Sequence, residues 1–248
     1  MEDFLVMDKL RVEPKTPHEQ WRWGNVRTKE PGTIKWLEAQ VRPGDVVYDI
    51  GANVGVYTMM AALLVGEKGH VYAFEPHIPT AKSLLNTVGL NPCGKRVTVF
   101  TVALHNQNGY YPFNYAKMSS GTSGHQLGKP VDEFERPFDP IAIEWKYATT
   151  VDELLDNQVI QPAAVIKLDV DGNELAILQG MAGLLGCQTP PRSIQVEVHP
   201  HDRSPVLQFM QEHGYRLVDE HYTEFGQIGL DQGIDPARIA HNAVFNKV

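Results

Sequence analysis

The apolar positions of the chain fall into short β-type runs separated by helical-period segments. Val46-Val47-Tyr48 reads as a strand buried on both faces, and Val56 to Leu64 follows with helical spacing. A second apolar run, His70 to Phe74, ends at Glu75. Thr80 to Leu90 is helical and stops at Asn91-Pro92, and Val97 to Val102 is a third strand. Upstream, Thr33 to Val41 places Ile34, Leu37 and Val41 on one helix face. Downstream, Val151 to Leu155 opens a short helix and Ala164 to Val170 is a buried strand. A helix from Glu174 to Leu185, a strand from Ser193 to Val198 and a helix from Ser204 to His213 complete the alternation. Strands at Tyr215 to Asp219 and Asn242 to Phe245 form a terminal hairpin around a loop-like stretch, 220–240. The pattern predicts an α/β fold with a doubly wound, mostly parallel sheet and a C-terminal antiparallel hairpin.

Two segments break the rhythm. Residues 1–30 are polar and mixed, with Pro14 and Pro17 interrupting any long helix. They read as an N-terminal cap segment in which Trp21, Trp23 and Arg27 serve mainly for packing. The rest, 31–248, forms the main domain, with an insertion over about 103–150. Strands are expected there at Tyr110 to Asn114 and near Lys146 to Thr150, with a Ser/Gly run at 119–124 between them. A connection this long is expected to be functional, and it reads as an antiparallel, substrate-selecting lid. If Tyr110 to Asn114 continues as a strand, Tyr111, Phe113 and Tyr115 share one face.

At 248 residues, one large α/β domain or a domain plus cap is expected, and 42% apolar residues suffice for a core. A net charge of −8 argues against nucleic acid as the main partner. Cys93 and Cys187 lack metal or redox spacing, which suits a reducing, cytoplasmic setting. No apolar run reaches bilayer length, and Met1-Glu2-Asp3 is acidic where a signal peptide is basic, so the chain is expected to be soluble.

The chemistry begins in the turn Asp49-Ile50-Gly51-Ala52-Asn53-Val54-Gly55. Strand, glycine turn, helix, strand and acid make a βαβ nucleotide-binding unit, with Glu75 roughly 20 residues past the turn, where it can accept two ribose hydroxyls. The turn is DxGxxxG rather than GxGxxG, so it suits a nucleoside without a pyrophosphate, and its acid favours a cationic ligand. S-adenosylmethionine carries a ribose, a sulfonium and an ammonium and fits that description. In open α/β sheets ligands sit beyond the carboxyl ends of strands. Four such ends here carry polar groups: Asp49, Glu75, Asp169 and Glu197/His199.

These residues resemble the FkbM family of S-adenosylmethionine-dependent methyltransferases. The resemblance rests on Glu30-Pro31, the turn at 49–55, Phe74-Glu75-Pro76 and the block Ile166 to Glu174. Gln179-Gly180, Glu197-Val198-His199 and Asn242 to Phe245 add to it, from about residue 27 to the end. The chain departs from the family pattern at Asp171 and Asn173, where Glu and His are more usual. The resemblance implies a class I methyltransferase acting on an oxygen, commonly a hydroxyl of a sugar or natural-product scaffold. N-methylation, a nicotinamide-dependent sugar oxidoreductase and a non-catalytic nucleoside-binding module stay open, although none of the nine tyrosines has lysine four residues on.

The expected cofactor set is Asp49, Gly51, Asn53, Gly55, Glu75 and Ala103; the expected substrate set is Ser119, Ser120, Asp171 and Glu174. His199 and Asp169 are candidate bases, with Glu197 orienting His199 or holding substrate. Asp169, Asp171 and Asn173 offer oxygen ligands, but the spacing is not an EF-hand, and no metal is expected.

Overall fold

β1 (Val46–Ile50), β2 (His70–Phe74) and β3 (Val97–Phe100) are β-rich segments joined by α4 (Val56–Leu64) and α5 (Ile78–Leu90), which makes their pairing parallel. They belong to a computed structural model that describes residues 9–132 and 136–248. Residues 1–8 of the expected cap, with the signal reading made on them, and 133–135 of the expected insertion lie outside the described residues. Before β1 the chain forms α1 (Pro17–Gly24), α2 (Val26–Lys29) and α3 (Pro31–Gln40). Pro17 sits at the first position of the short α1, where its missing N–H costs nothing. Thr16 and Glu19 close a capping box at that end.

After the insertion, α6 (Val151–Asp156) leads to β8 (Val165–Leu168), which pairs with the other side of β1. β9 (Ser193–Val198) extends the parallel set, and β10 (Tyr215–His221) and β11 (His241–Lys247) complete it in antiparallel sense. Among the described residues the central sheet has the order β10-β11-β9-β8-β1-β2-β3. The chain leaves β1 in one direction and returns to its opposite flank at β8, so the cleft at the β1/β8 carboxyl ends is the topological switch point. Ile34, Leu37 and Val41 are buried together, as their spacing predicts.

The structure corrects three expectations. The helix expected from Glu174 to Leu185 is two, α7 (Glu174–Gln179) and α8 (Ala182–Gly186). The break falls at Gly180, where a Cβ would come within 2.1 Å of the His105 carbonyl oxygen, so the chain turns against that backbone. The expected loop, 220–240, contains α10 (Glu224–Asp231), capped by the Thr223 hydroxyl accepting from Gly226 N–H. The insertion carries a second sheet: β4 (Ala103–Leu104), β5 (Gly109–Tyr115), β6 (Gln126–Leu127) and β7 (Ala142–Thr149), in the order β4-β7-β5-β6. Its β4–β7 pair is parallel, so the sheet is mixed rather than antiparallel throughout. α9 (Arg203–Glu212) matches its expected helix within a residue at each end. No helix among the described residues is long and apolar enough to cross a membrane.

Candidate active site

A cavity of about 440 Å³ opens at the switch point, a size that suits a small-molecule ligand. Its floor comes from strand ends. Gly51 and Asn53 follow β1, Glu75 follows β2, Ala103 opens β4 three residues past β3, Asp169 and Asp171 follow β8, and Glu197 stands near the end of β9.

Glu75 is buried, and both carboxylate oxygens are fixed by backbone N–H groups: Asn53 N–H donates to Oε2 and His77 N–H to Oε1, each at 2.8 Å. Burial raises its pKa to about 7, against these two donors, which favour the anion. Asn53 holds φ of 49°, a left-handed conformation that aims its N–H at Glu75.

Gly51 is needed for a different reason from the one its place in the turn suggests. Its φ is 83°, and a Cβ there would lie 1.7 Å from the Asp169 carbonyl oxygen. The glycine lets β1 and β8 converge where their ends meet the cavity wall. Gly55 likewise avoids Leu84 and does not line the cavity. Asp49 also lies off the wall: it is buried and accepts the Thr58 hydroxyl at 2.5 Å, tying β1 to α4.

Asp169 lies 2.6 Å from the buried Lys167 ammonium. Burial alone would raise its carboxyl, but Lys167 and Lys29 hold it well below the usual carboxylate range. Glu197 faces the cavity and His199 stands behind it, their Oε2 and Nε2 3.3 Å apart in a contact that falls short of an aligned hydrogen bond. Burial and the neighbouring Asp169 push Glu197 above the usual range. Burial would lower His199, but Glu197, Glu174 and Asp202 raise it to about 10, so it is an imidazolium at neutral pH. His199 is thus a charge partner for Glu197 rather than a base ready to take a proton.

Glu174 is fully buried off the wall, accepting from Val170 N–H and Gly172 N–H. It shapes the loop that presents Asp169 and Asp171. Ser119 and Ser120 also miss the wall, while their neighbours Thr122 and Ser123 reach it. Of the insertion aromatics, Phe113 lines the cavity, whereas the Tyr115 hydroxyl is occupied by Glu144 at 2.5 Å.

The segment around Ser119 to Gly124 is held from several sides. Arg22 Nε donates to Gly121 O at 2.6 Å, Thr16 Oγ1 donates to Ser120 O, and Gly121 N–H donates to Thr80 Oγ1. Gly124 N–H donates to Asp171 Oδ2 at 2.8 Å, and Asn53 Nδ2 reaches Thr122 O. It is a fixed wall.

Sequence reasoning missed part of the lining: Trp21, Arg22, Lys29, His77, His125 and Phe225. His77 and His125 stack 3.8 Å apart, and burial lowers them to about 4 and about 3, so both are neutral. Their signal was weak, each being a single polar residue in a loop. Carboxylate oxygens of Asp169, Asp171 and Glu197 come within 4.8 Å of one another, as do ligand atoms of Glu174, Glu197 and His199.

The doubly wound sheet with its cavity at the β1/β8 switch point is the class I S-adenosylmethionine-dependent methyltransferase fold. A methyltransferase FkbM from Methylobacillus flagellatus superposes with a TM-score of 0.51 at 13% identity, over 98% of this chain and 57% of that one. The family description "Methyltransferase FkbM domain" matches residues 49–217. The chain belongs to the FkbM methyltransferase family. Among characterised proteins it is 25% identical to the hexuronic acid methyltransferase AglP of Haloferax volcanii over 207 residues, 79% of this chain and 75% of that protein. It is 27% identical to the 31-O-demethyl-FK506 methyltransferase FkbM of Streptomyces tacrolimicus over 203 residues, 73% and 76% respectively.

Proposed function

We propose that this protein transfers the methyl group of S-adenosylmethionine to a hydroxyl oxygen of a sugar or natural-product scaffold. The observation that carries the reading is Glu75, a buried carboxylate at the end of β2 with a backbone donor on each oxygen and a face on the cavity. Each oxygen keeps lone-pair capacity for one hydroxyl of a vicinal diol, which is what a ribose presents. The wall beside it is apolar at Phe74, Val102 and Leu104, a slot suited to a purine, with Ala103 between them. Beyond Gly51 the wall carries Asp169, whose charge is held by Lys167 and suits an ammonium or a sulfonium. Diol reader, apolar slot and anionic end match the three parts of that cofactor.

The cofactor supplies an electrophilic methyl, so the protein's tasks are alignment and proton removal. Glu197 is placed for the second. It faces the cavity with a raised pKa, and its rear is held by the His199 imidazolium. Asp169, kept ionised by Lys167, is the stronger fixed charge and the weaker base. Asp171 reaches the wall and is the remaining candidate for holding the acceptor. An oxygen acceptor is supported by one relative, named for a 31-O-demethyl substrate, and a sugar acceptor by the other, named for hexuronic acid. Cytoplasmic work on a free or carrier-bound glycan or scaffold, without a resident metal, completes the proposal.

Titration calorimetry with S-adenosylmethionine and with NAD, followed by release of S-adenosylhomocysteine over a panel of hydroxyl and amine acceptors, tests it. Binding of the methyl donor and hydroxyl-dependent turnover are expected. Binding of NAD instead, or turnover on amines alone, overturns it.

A further inference from the structure

β7 carries its polarity the wrong way round for a strand on the outside of a protein. Side chains alternate between the two faces of a strand, and in a half-solvated sheet the apolar set turns inward. Along Ile143-Glu144-Trp145-Lys146-Tyr147 it is the charged pair that takes the inner face. Lys146 is buried and pairs with Glu144 at 2.9 Å, and the Tyr115 hydroxyl donates to Glu144. Ile143, Trp145 and Tyr147 take the outer face, with Trp145 68% exposed. The antiparallel register sets Tyr110 of β5 opposite Tyr147, and Pro112 opposite Trp145. Tyr110 is 69% exposed and meets the Tyr147 ring edge to face, centroids 5.4 Å apart. The polar member of the β5 row, Asn114, is buried and donates to the Gln126 and Gly128 carbonyls. Ile141, in step with Ile143, is exposed just before the strand.

We propose that this outer face is where two copies of the chain pack, sheet on sheet, about a two-fold axis. Tyr110, Ile141, Ile143, Trp145 and Tyr147 together leave on the order of 600 Å² bare, at the upper end of what a monomer carries in one apolar patch. With a polar rim added, that comes close to the ~800 Å² each partner gives a stable interface. The face presents no charge that would select a partner of opposite charge. Its complement is a surface like itself, which is what an isologous contact supplies. A net charge of −8 argues against an anionic bilayer as the cover. Tryptophan and tyrosine are also the side chains on which protein interfaces depend most. The contact leaves the cavity free, because Phe113 lines it from the inner face of the same strands.

Sedimentation velocity of the full chain between about 1 and 100 μM tests the proposal. A reversible dimer with Kd of about 10 μM or tighter is expected. Salt should strengthen it, since two chains of like charge repel at long range while an apolar contact is not screened. Hydroxyl-radical footprinting of the wild type should show Tyr110, Trp145 and Tyr147 protected at the high concentration and labelled at the low one. Trp145→Lys and Ile143→Lys should each weaken the dimer at least about 30-fold. Both replace exposed side chains, so dilute thermal unfolding and S-adenosylhomocysteine affinity should match the wild type. If either variant misfolds, the wild-type footprint decides alone. A wild type that stays monomeric, with the three residues labelled equally throughout, overturns the proposal. A dimer that keeps its affinity in both variants, with Trp145 still labelled, puts the interface elsewhere and overturns it too. Protection of Trp145 in a monomer only when phosphatidylcholine vesicles are added makes the face a lipid surface and removes the second copy.

Discussion

The floor and the rim of the cavity are built on different principles. The floor residues Gly51, Glu75, Asp169 and Glu197 stand at or just past the carboxyl ends of β1, β2, β8 and β9, which share a sheet. Their spacing is set by strand register and their orientation by backbone N–H groups or buried ion pairs. The rim residues Trp21, Ser123 and Phe225 come from a terminal helix, an insertion and a helix within a long hairpin connection. They are held by side chain–backbone hydrogen bonds and one aromatic stack. A floor of this kind tolerates little change and suits an invariant ligand. A rim of this kind can be rebuilt without disturbing the sheet, which is where acceptor choice can vary.

Gly51→Val is expected to have the largest effect, and it separates packing from ligand space. The added side chain meets the Asp169 carbonyl and φ is left-handed, so the cost should be about 3 kcal/mol or more. Thermal or denaturant unfolding should show the loss even without cofactor. A variant with wild-type stability that fails to bind S-adenosylmethionine would instead make the glycine a ligand-space residue.

Glu75→Ala comes next. It removes a charged acceptor for two hydroxyls, each bond worth about 1.5–3 kcal/mol, so affinity for S-adenosylmethionine should fall tenfold to several hundredfold. With a pKa near 7, Glu75 accepts both hydroxyls only above that pH. Wild-type cofactor binding should therefore tighten between pH 6 and pH 8, and calorimetry of Glu75→Gln should lose that pH dependence.

How much of this division was legible follows from how local each signal is. The β1–α4–β2 unit is contiguous, so alternation, glycines and the acid at its end could be read directly, and Asp169 and Glu197 were found by the same strand-end rule. Burial depth could not be read: Asp49 and Glu75 look alike in sequence, yet one is occupied by Thr58 and the other faces the cavity. α10 was missed because the stretch 220–240 reads as loop-like, and it contains Gly226 and Gly229. A Cβ at either would lie 3.2 Å from Ile239, so both are small because α10 packs closely on that residue. The Trp21–Phe225 pair spans the whole chain and leaves no local pattern at all. Its only trace was a tryptophan in a polar segment, which reads as packing.

A third experiment tests the support beneath the floor. Glu174 is fully buried, and burial raises its carboxyl to about 7, against the Val170 N–H bond and the His199 charge, which favour the anion. A carboxyl raised on folding stabilises the protein below its unfolded pKa near 4.5 and loses that contribution as pH rises through about 7. Wild-type stability should thus decline between pH 4.5 and 7 by up to about 3 kcal/mol on account of this group. Glu174→Gln keeps an oxygen that accepts from Val170 and Gly172 but cannot ionise, so it should show a shallower pH slope. An unchanged slope would assign the pH dependence to other carboxyls.

The smallest expected effect decides whether the rim is wall or lid. The Ser119 to Gly124 run has the composition of a mobile loop, and length alone made the insertion look like a cover that opens. Its amides are nevertheless engaged: Gly121 N–H donates to Thr80 Oγ1 at 3.0 Å and Gly124 N–H to Asp171 Oδ2 at 2.8 Å. Arg22 holds the Gly121 carbonyl from the other side. Bonds of this kind contribute about 1 kcal/mol each at a partly exposed site, enough to slow local opening without setting global stability. Hydrogen exchange should therefore show Gly121 and Gly124 protected in the wild type. Thr80→Val should release Gly121 by about fivefold while leaving Gly124 and global unfolding nearly unchanged. Acceptor KM should rise modestly, with turnover and cofactor affinity preserved, because a loosened wall weakens a contact without adding a closing step. A gating lid would give unprotected amides at both glycines in the free protein, protection appearing only when acceptor binds, and KM and kcat altered together. That second result would make the rim a moving part and leave the sheet-borne floor as the sole fixed half of the site.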